Sequence, residues 1–134
     1  AREGSIVIAA GGGGIPVYKD DNGLLRPVEG VIDKDFASSL LATRINADEL
    51  YILTDVPYVY LNYNQENQKL IEFLDHKDTV RYLKTQQFGE GNMAPKIEAA
   101  LYFIENGGSK SVITEATKLD NKGYGTKITM EYDK

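Results

Sequence analysis

Lys34 and Lys96 stand where helix electrostatics disfavour a cation. Lys34 follows Asp33 at the head of one apolar helical pattern, and Lys96 follows Pro95 at the head of another. The first turn of a helix carries partial positive charge, so an ammonium group there is unfavourable by roughly a few tenths of a kcal/mol. A polyphosphate between the two helix ends reverses that sign, because ammonium groups and free backbone N–H donors then converge on one negative charge. Asp35, beside Lys34, is of the type that orients a lysine or helps to hold a metal, and also of the type that simply suits a helix start. Either lysine alone reads equally well as a solvated surface cation; the pair is what points to phosphate chemistry.

A second feature is the run Gly11 to Gly14, which follows the apolar stretch Ser5 to Ala10. Four glycines after a buried strand let backbone N–H groups crowd around an anion where any side chain would obstruct them. No Gly-Lys-Ser/Thr follows, which excludes a Walker loop, and Pro16 stands where the third glycine of a dinucleotide fingerprint belongs. A flexible strand-to-hairpin turn is the other reading. Thr54 and Asp55 close a second apolar strand, where polar groups face a ligand at a sheet edge or merely open a turn. Met93 is placed either to lie against a flat base or to fill a gap in the core. The nine tyrosines are read as core and surface aromatics rather than as a base stack, and His76 as a solvated loop residue.

The elements that position these residues follow from periodicity. Ser5 to Ala10 is a continuous apolar run with β-branched residues, expected as a parallel strand buried on both faces. Such a strand so near the first residue reads either as an entry in mid-fold or, as in many domains, as an ordinary first strand. Ile15–Tyr18 and Leu24–Pro27 flank the turn-rich Asp20-Asp21-Asn22-Gly23 and predict a hairpin flap with prolines at its edges. Phe36, Ala37, Leu40, Leu41 and Ile45 have helical spacing after Asp33 as N-cap. Leu50–Leu53 makes a second strand, 62–69 an exposed loop, and 78–87 a short helix. The span 92–106 is the best helical pattern, with Asn92 to cap it, Pro95 in its first turn, a stripe of Ile97, Ala100, Leu101 and Ile104, and Gly107 to stop it. Lys110–Thr114 and Thr126–Met130 are strands, with a helical turn near 116–119. Strands alternating with helices imply an α/β domain with a mainly parallel sheet flanked by helices and ligands beyond the C-terminal strand ends.

Composition narrows the class. The chain of 134 residues has no cysteine and one histidine, which excludes a disulfide framework, a thiolate metal site and a zinc cluster. No metal-ligating residues are nominated. Its 20 acidic and 15 basic residues give a net charge of −5, which disfavours a nucleic-acid partner, so phosphate binding has to be local. The longest apolar stretch is too short for a bilayer, and the expected setting is a reducing cytoplasm, with no membrane partner.

Four segments in order resemble the carbamate kinases, within the wider amino-acid kinase family. They are Val7 through Val17 around the tetraglycine, Gly30-Val31-Ile32-Asp33-Lys34-Asp35, Leu53-Thr54-Asp55-Val56, and Gly91 through Ala100 around Met93-Ala94-Pro95-Lys96. Other members of the family generally keep an acid matching Asp35 but not the lysine before it. The resemblance implies the C-terminal, nucleotide-binding half of an amino-acid kinase fold over residues 1–134, with a substrate half elsewhere. It implies reversible phosphoryl transfer from ATP to carbamate, with ADP and carbamoyl phosphate on the other side, in fermentative arginine breakdown, with Mg2+ and a homodimer. Lys96 would stabilise the transferring phosphoryl group, Lys34 would contact the terminal phosphates, and Asp35 would hold the lysines. Thr54, Asp55 and Met93 would border the nucleotide, and Gly11 and Gly12, with Gly13 beside them, would face the carbamate and phosphoryl side. Ala94, where glycine is common, and Pro57-Tyr58, in place of a polar or glycine turn, depart from the family pattern. Two alternatives stay open: a stand-alone nucleotide-binding or regulatory module, and another amino-acid kinase acting on a carboxylate such as acetylglutamate.

Overall fold

A computed structural model describes residues 4–9, 12–88, 91 and 93–131. The first elements are β1 (Val17–Lys19) and β2 (Leu25–Pro27), an antiparallel hairpin with Tyr18 opposite Arg26. Its turn is built by Asp20, whose Oδ1 accepts from the N–H groups of Asn22 and Leu24 while Arg26 Nε donates to Oδ2 at 2.9 Å. The expected flap is present.

Helix α1 (Lys34–Arg44) starts at Asp33, whose carboxylate caps the N–H groups of Asp35 and Phe36, both at 2.9 Å. Strand β3 (Glu49–Thr54) follows, then β4 (Val59–Leu61), β5 (Lys69–Ile71) and β6 (Phe73–Asp75). Helix α2 (His76–Lys84) is capped by Asp75, and α3 (Met93–Glu105) leads to β7 (Lys110–Glu115), a 3-10 turn (Ala116–Lys118) and β8 (Thr126–Thr129). The sheet order is β3-β7-β8-β6; β3–β7 and β6–β8 are parallel, and β7–β8 is antiparallel. The mixed α/β architecture with a mainly parallel sheet is as the sequence implies.

Helix α3 is the centre of the core. Ile97, Ala99, Ala100 and Phe103 are fully buried, and Lys96 and Ile104 nearly so. It ends where Gly107 takes a φ of +98° and Gly108 N–H returns to the Phe103 carbonyl at 3.0 Å. A side chain at Gly108 would meet the Phe103 ring at 2.2 Å, so this glycine is demanded by packing. The expected cap, Asn92, lies outside the described residues.

Three expectations are corrected. Residues 5–9 form no strand and are exposed, with Ile6 and Ile8 each 96% accessible, while Ala10 lies outside the described residues. A strand buried on both faces needs ladder partners and covering layers, and among the described residues nothing pairs with this one. On α1 the stripe of Phe36, Leu40, Leu41 and Ile45 is exposed, and the buried face is Ser39 and Ala42. Small residues let α1 approach α3 so closely that Ser39 Oγ donates to the Ala99 carbonyl at 2.7 Å. The span 62–69 is an exposed loop as expected, apart from Lys69, which opens β5; what was not expected is that it closes a second hairpin, β4–β5, through Asn62 and Asn64 in the left-handed region. Helix α2 begins two residues earlier than expected because Asp75, not a later residue, caps it.

Candidate functional site

The side chains of Lys34 and Lys96 meet. Lys96 Nζ lies 2.7 Å from Asp35 Oδ2, and Lys34 Nζ lies 3.3 Å from the same oxygen. Two helix N-termini far apart in sequence thus present two ammonium groups around one carboxylate, leaving a net positive charge. Lys96 is buried, with 8% of its side chain accessible, and Asp35 is 14% accessible, whereas Lys34 is 64% accessible. A buried cation requires its partner, so Asp35 is a condition for Lys96 being where it is. The Asp35 carboxylate also holds the Lys34 ammonium above the usual lysine pKa. Because Asp33 already occupies two N–H groups of α1, what this helix end offers a ligand is mainly its lysine.

Gly13 is drawn up against the entrance to α1. A Cβ on Gly13 would fall 1.6 Å from the Ile32 carbonyl oxygen, so only glycine permits the approach, and Gly14 has a φ of +99°. Gly12 has open space around it, and Gly11 lies outside the described residues.

Thr54 ends β3 beside Glu115, the last residue of β7, at the C-terminal edge of the parallel pair. Its Oγ1 donates to Asp55 Oδ1 at 3.1 Å. Asp55 and Met93 line a cavity of about 240 Å³ together with Val56, Tyr60, Tyr63, Phe88 and Gly91. Met93 and Lys96 are three residues apart on α3 and therefore neighbours on its surface, which places the cavity next to the lysine cluster. Tyr60 and Tyr63 are in ring contact at 5.7 Å, and burial keeps the Tyr60 phenol above its usual pKa, with nearby Tyr and Glu groups adding to the effect.

The two tyrosines were not among the expected site residues; their spacing behind Thr54-Asp55, with Asn62 turning the chain between them, is the signal that marks them. His76 is likewise not a solvated loop residue. It opens α2, and its Nε2 lies 2.8 Å from Glu105 Oε1. Among the described residues no group of three His, Cys, Asp or Glu side chains is placed to hold a metal ion. Among them, too, no helix is long and apolar enough to cross a membrane.

Comparison with known proteins agrees with this fold. The profile of the amino acid kinase family matches residues 1–115. A carbamate kinase from Lentilactobacillus hilgardii is 46% identical over 129 residues, covering 94% of this chain and 40% of that protein. One from Thermoplasma acidophilum is 50% identical over 113 residues, or 84% of this chain and 37% of its relative. Among solved structures, carbamate kinase from Giardia lamblia bound to AMP-PNP superposes with a TM-score of 0.81 at 36% identity, covering 89% of this chain and 42% of that one. The chain spans about two fifths of the length of these relatives.

Proposed function

This chain belongs to the amino acid kinase family, and from that premise we propose that it is the nucleotide-binding half of a carbamate kinase, passing a phosphoryl group reversibly between ATP and carbamate. The observation that carries the reading is the convergence of Lys34 and Lys96 on a single carboxylate oxygen. Phosphoryl transfer asks a protein mainly for positioning and for neutralisation of charge on three equatorial oxygens, and a clustered pair of ammonium groups supplies both.

In the direction that makes ATP, a terminal oxygen of ADP forms the new P–O bond as the bond from phosphorus to the carbamate oxygen breaks, and carbamate leaves. Lys96, held by Asp35, faces the transferring group. Lys34, free to swing, follows the terminal phosphates. Met93, Tyr60 and Tyr63 border the base, Thr54 and Asp55 the rim beside it, and Gly11, Gly12 and Gly13 the phosphoryl side. The described residues do not fit a protein-held magnesium ion, because the nearest carboxylate, Asp35, is already shared by two lysines. Mg2+ would arrive on the oxygens of the nucleotide and on water.

The remainder of the carbamate site belongs to a segment outside residues 1–134, so these residues alone bind nucleotide without turnover. The exposed apolar residues Ile6 and Ile8 and the outer edge of β3, unpaired among the described residues, suit a neighbour of that kind. The family resemblance extends the proposal to a cytoplasmic homodimer working in arginine breakdown.

The test is donor choice. With the full-length polypeptide and ADP, carbamoyl phosphate is expected to yield ATP and acetyl phosphate to be a poor donor. A preference for acyl phosphates would move the protein to a carboxylate-directed kinase. ADP binding without ATP formation from either donor would leave a binding module.

A further inference from the structure

The β4–β5 hairpin brings Tyr60 and Tyr63 to the cavity, yet among the described residues no backbone ladder joins it to the four-stranded sheet. Its polar attachment is concentrated on one hydroxyl. Thr126, the first residue of β8, is fully buried. Its Oγ1 accepts from Val59 N–H at 2.8 Å and donates to the Ile71 carbonyl at 2.5 Å. Val59 and Ile71 are register partners at the end of the hairpin away from its loop, so a single side chain clamps both strands where they reach the sheet. One backbone bond, from Lys127 N–H to the Glu72 carbonyl at 2.8 Å, lies just beyond.

The residue before the clamp is fixed as well. Gly125 has a φ of +92°, and a Cβ there would sit 2.7 Å from Thr114 Cβ and 2.8 Å from the Ile113 carbonyl oxygen. Only glycine lets β8 begin so close to β7. The neighbouring Thr114 hydroxyl is buried and has no hydrogen-bond partner among the described residues, whereas Thr126 ties two strands of the hairpin to the sheet. Side chains alternate along a strand: Val59 is buried in the core and Tyr60, next to it, lines the cavity. Wherever Thr126 holds Val59, Tyr60 is held too.

The geometry points to Thr126 as a positioning residue for nucleotide recognition, one whose hydroxyl sets the height of the Tyr60–Tyr63 wall over the cavity. This rests on the nucleotide reading above. Valine has the shape of threonine but neither donates nor accepts, so Thr126→Val leaves a buried N–H and a buried C=O unpaired. The hairpin then lifts toward water, and the base meets a wall that has to be ordered on binding.

The experiment is steady-state kinetics of the full-length polypeptide, making ATP from ADP and carbamoyl phosphate. Thr126→Val is expected to raise KM for ADP about tenfold while kcat stays within about twofold and KM for carbamoyl phosphate is unchanged, because only ground-state and transition-state binding of the base is lost. Thr126→Ser, which keeps both hydrogen bonds, is expected to restore the wild-type KM. An unchanged KM for ADP in Thr126→Val overturns the proposal. Equal behaviour of Val and Ser, or a joint collapse of kcat and both KM values, does the same, since either would mean a merely structural role. Tyr60→Ala separates the two levels: if it leaves KM for ADP unaltered, the nucleotide reading of the cavity fails, and if it raises KM while Thr126→Val does not, only the clamp fails. Should Thr126→Val not fold, the wild-type protein still answers through hydrogen exchange. The Val59 amide must be protected as strongly as the β7 amides, and rapid exchange there refutes the clamp.

Discussion

At the head of α3, Lys96 has 8% of its side chain accessible and lies 2.7 Å from Asp35 Oδ2; at the head of α1, Lys34 has 64% accessible and lies 3.3 Å from the same oxygen. The functional group and its partner are shared, but the surroundings are opposite. Lys96 has lost its rotamer freedom in folding and sits where water screens it little, so its charge acts on a ligand without further ordering. Lys34 is screened and mobile, and must be ordered by whatever it contacts. In the proposed reaction the difference would make one helix end a fixed electrostatic post and the other an adaptable arm.

That contrast can be broken or sharpened by substitution. Lys96→Ala should have the largest effect, lowering turnover by about a thousandfold, as loss of one preorganised stabilising group commonly does; measuring kcat for ATP formation checks it. Asp35→Ala should come next, with turnover down roughly a hundredfold and the protein destabilised by about 3 kcal/mol, because a buried ammonium is left uncompensated; urea unfolding reads the second number. Lys34→Ala should cost only about tenfold, mostly in KM for ADP, and the loss should shrink as salt is added. A Lys34 effect equal to that of Lys96 would erase the distinction between post and arm.

The smallest effect concerns pH. Asp35 raises the pKa of Lys34, so the stabilisation from this contact is complete below the ordinary lysine pKa and is lost only as pH climbs through the raised one. ADP affinity attributable to Lys34, measured as the difference between wild type and Lys34→Ala, should therefore be flat once the terminal phosphate of ADP is fully ionised, above about pH 8, and fall only in strong alkali. A further step between that plateau and the lysine range would assign the titration to another group of the protein.

Both helix heads were legible in the sequence, because capping and dipole rules act locally: Asp33 caps α1 as expected, and both lysines stand in the turns assigned to them. Their meeting at Asp35 was not legible, since it depends on how α1 lies across α3. That packing runs through Ser39 and Ala42 rather than the more apolar Leu40 and Leu41, so ranking residues by hydrophobicity selected the wrong face. The β4–β5 hairpin escaped notice because three-residue strands are too short to show alternation, and with it went Tyr60, Tyr63 and the hydroxyl of Thr126. Residues 5–9 carry a strand pattern without strand structure, which shows that a β-branched run specifies a strand only when partners are present for its backbone.

The most direct test of the account is to compare the affinities of adenosine, AMP and ADP for the full-length wild-type protein and for the Lys34→Ala, Lys96→Ala double variant by calorimetry. If the two ammonium groups receive the phosphates, the double variant should bind adenosine as the wild type does and lose the extra affinity for ADP. A double variant that still prefers ADP over adenosine by the wild-type margin would contradict it.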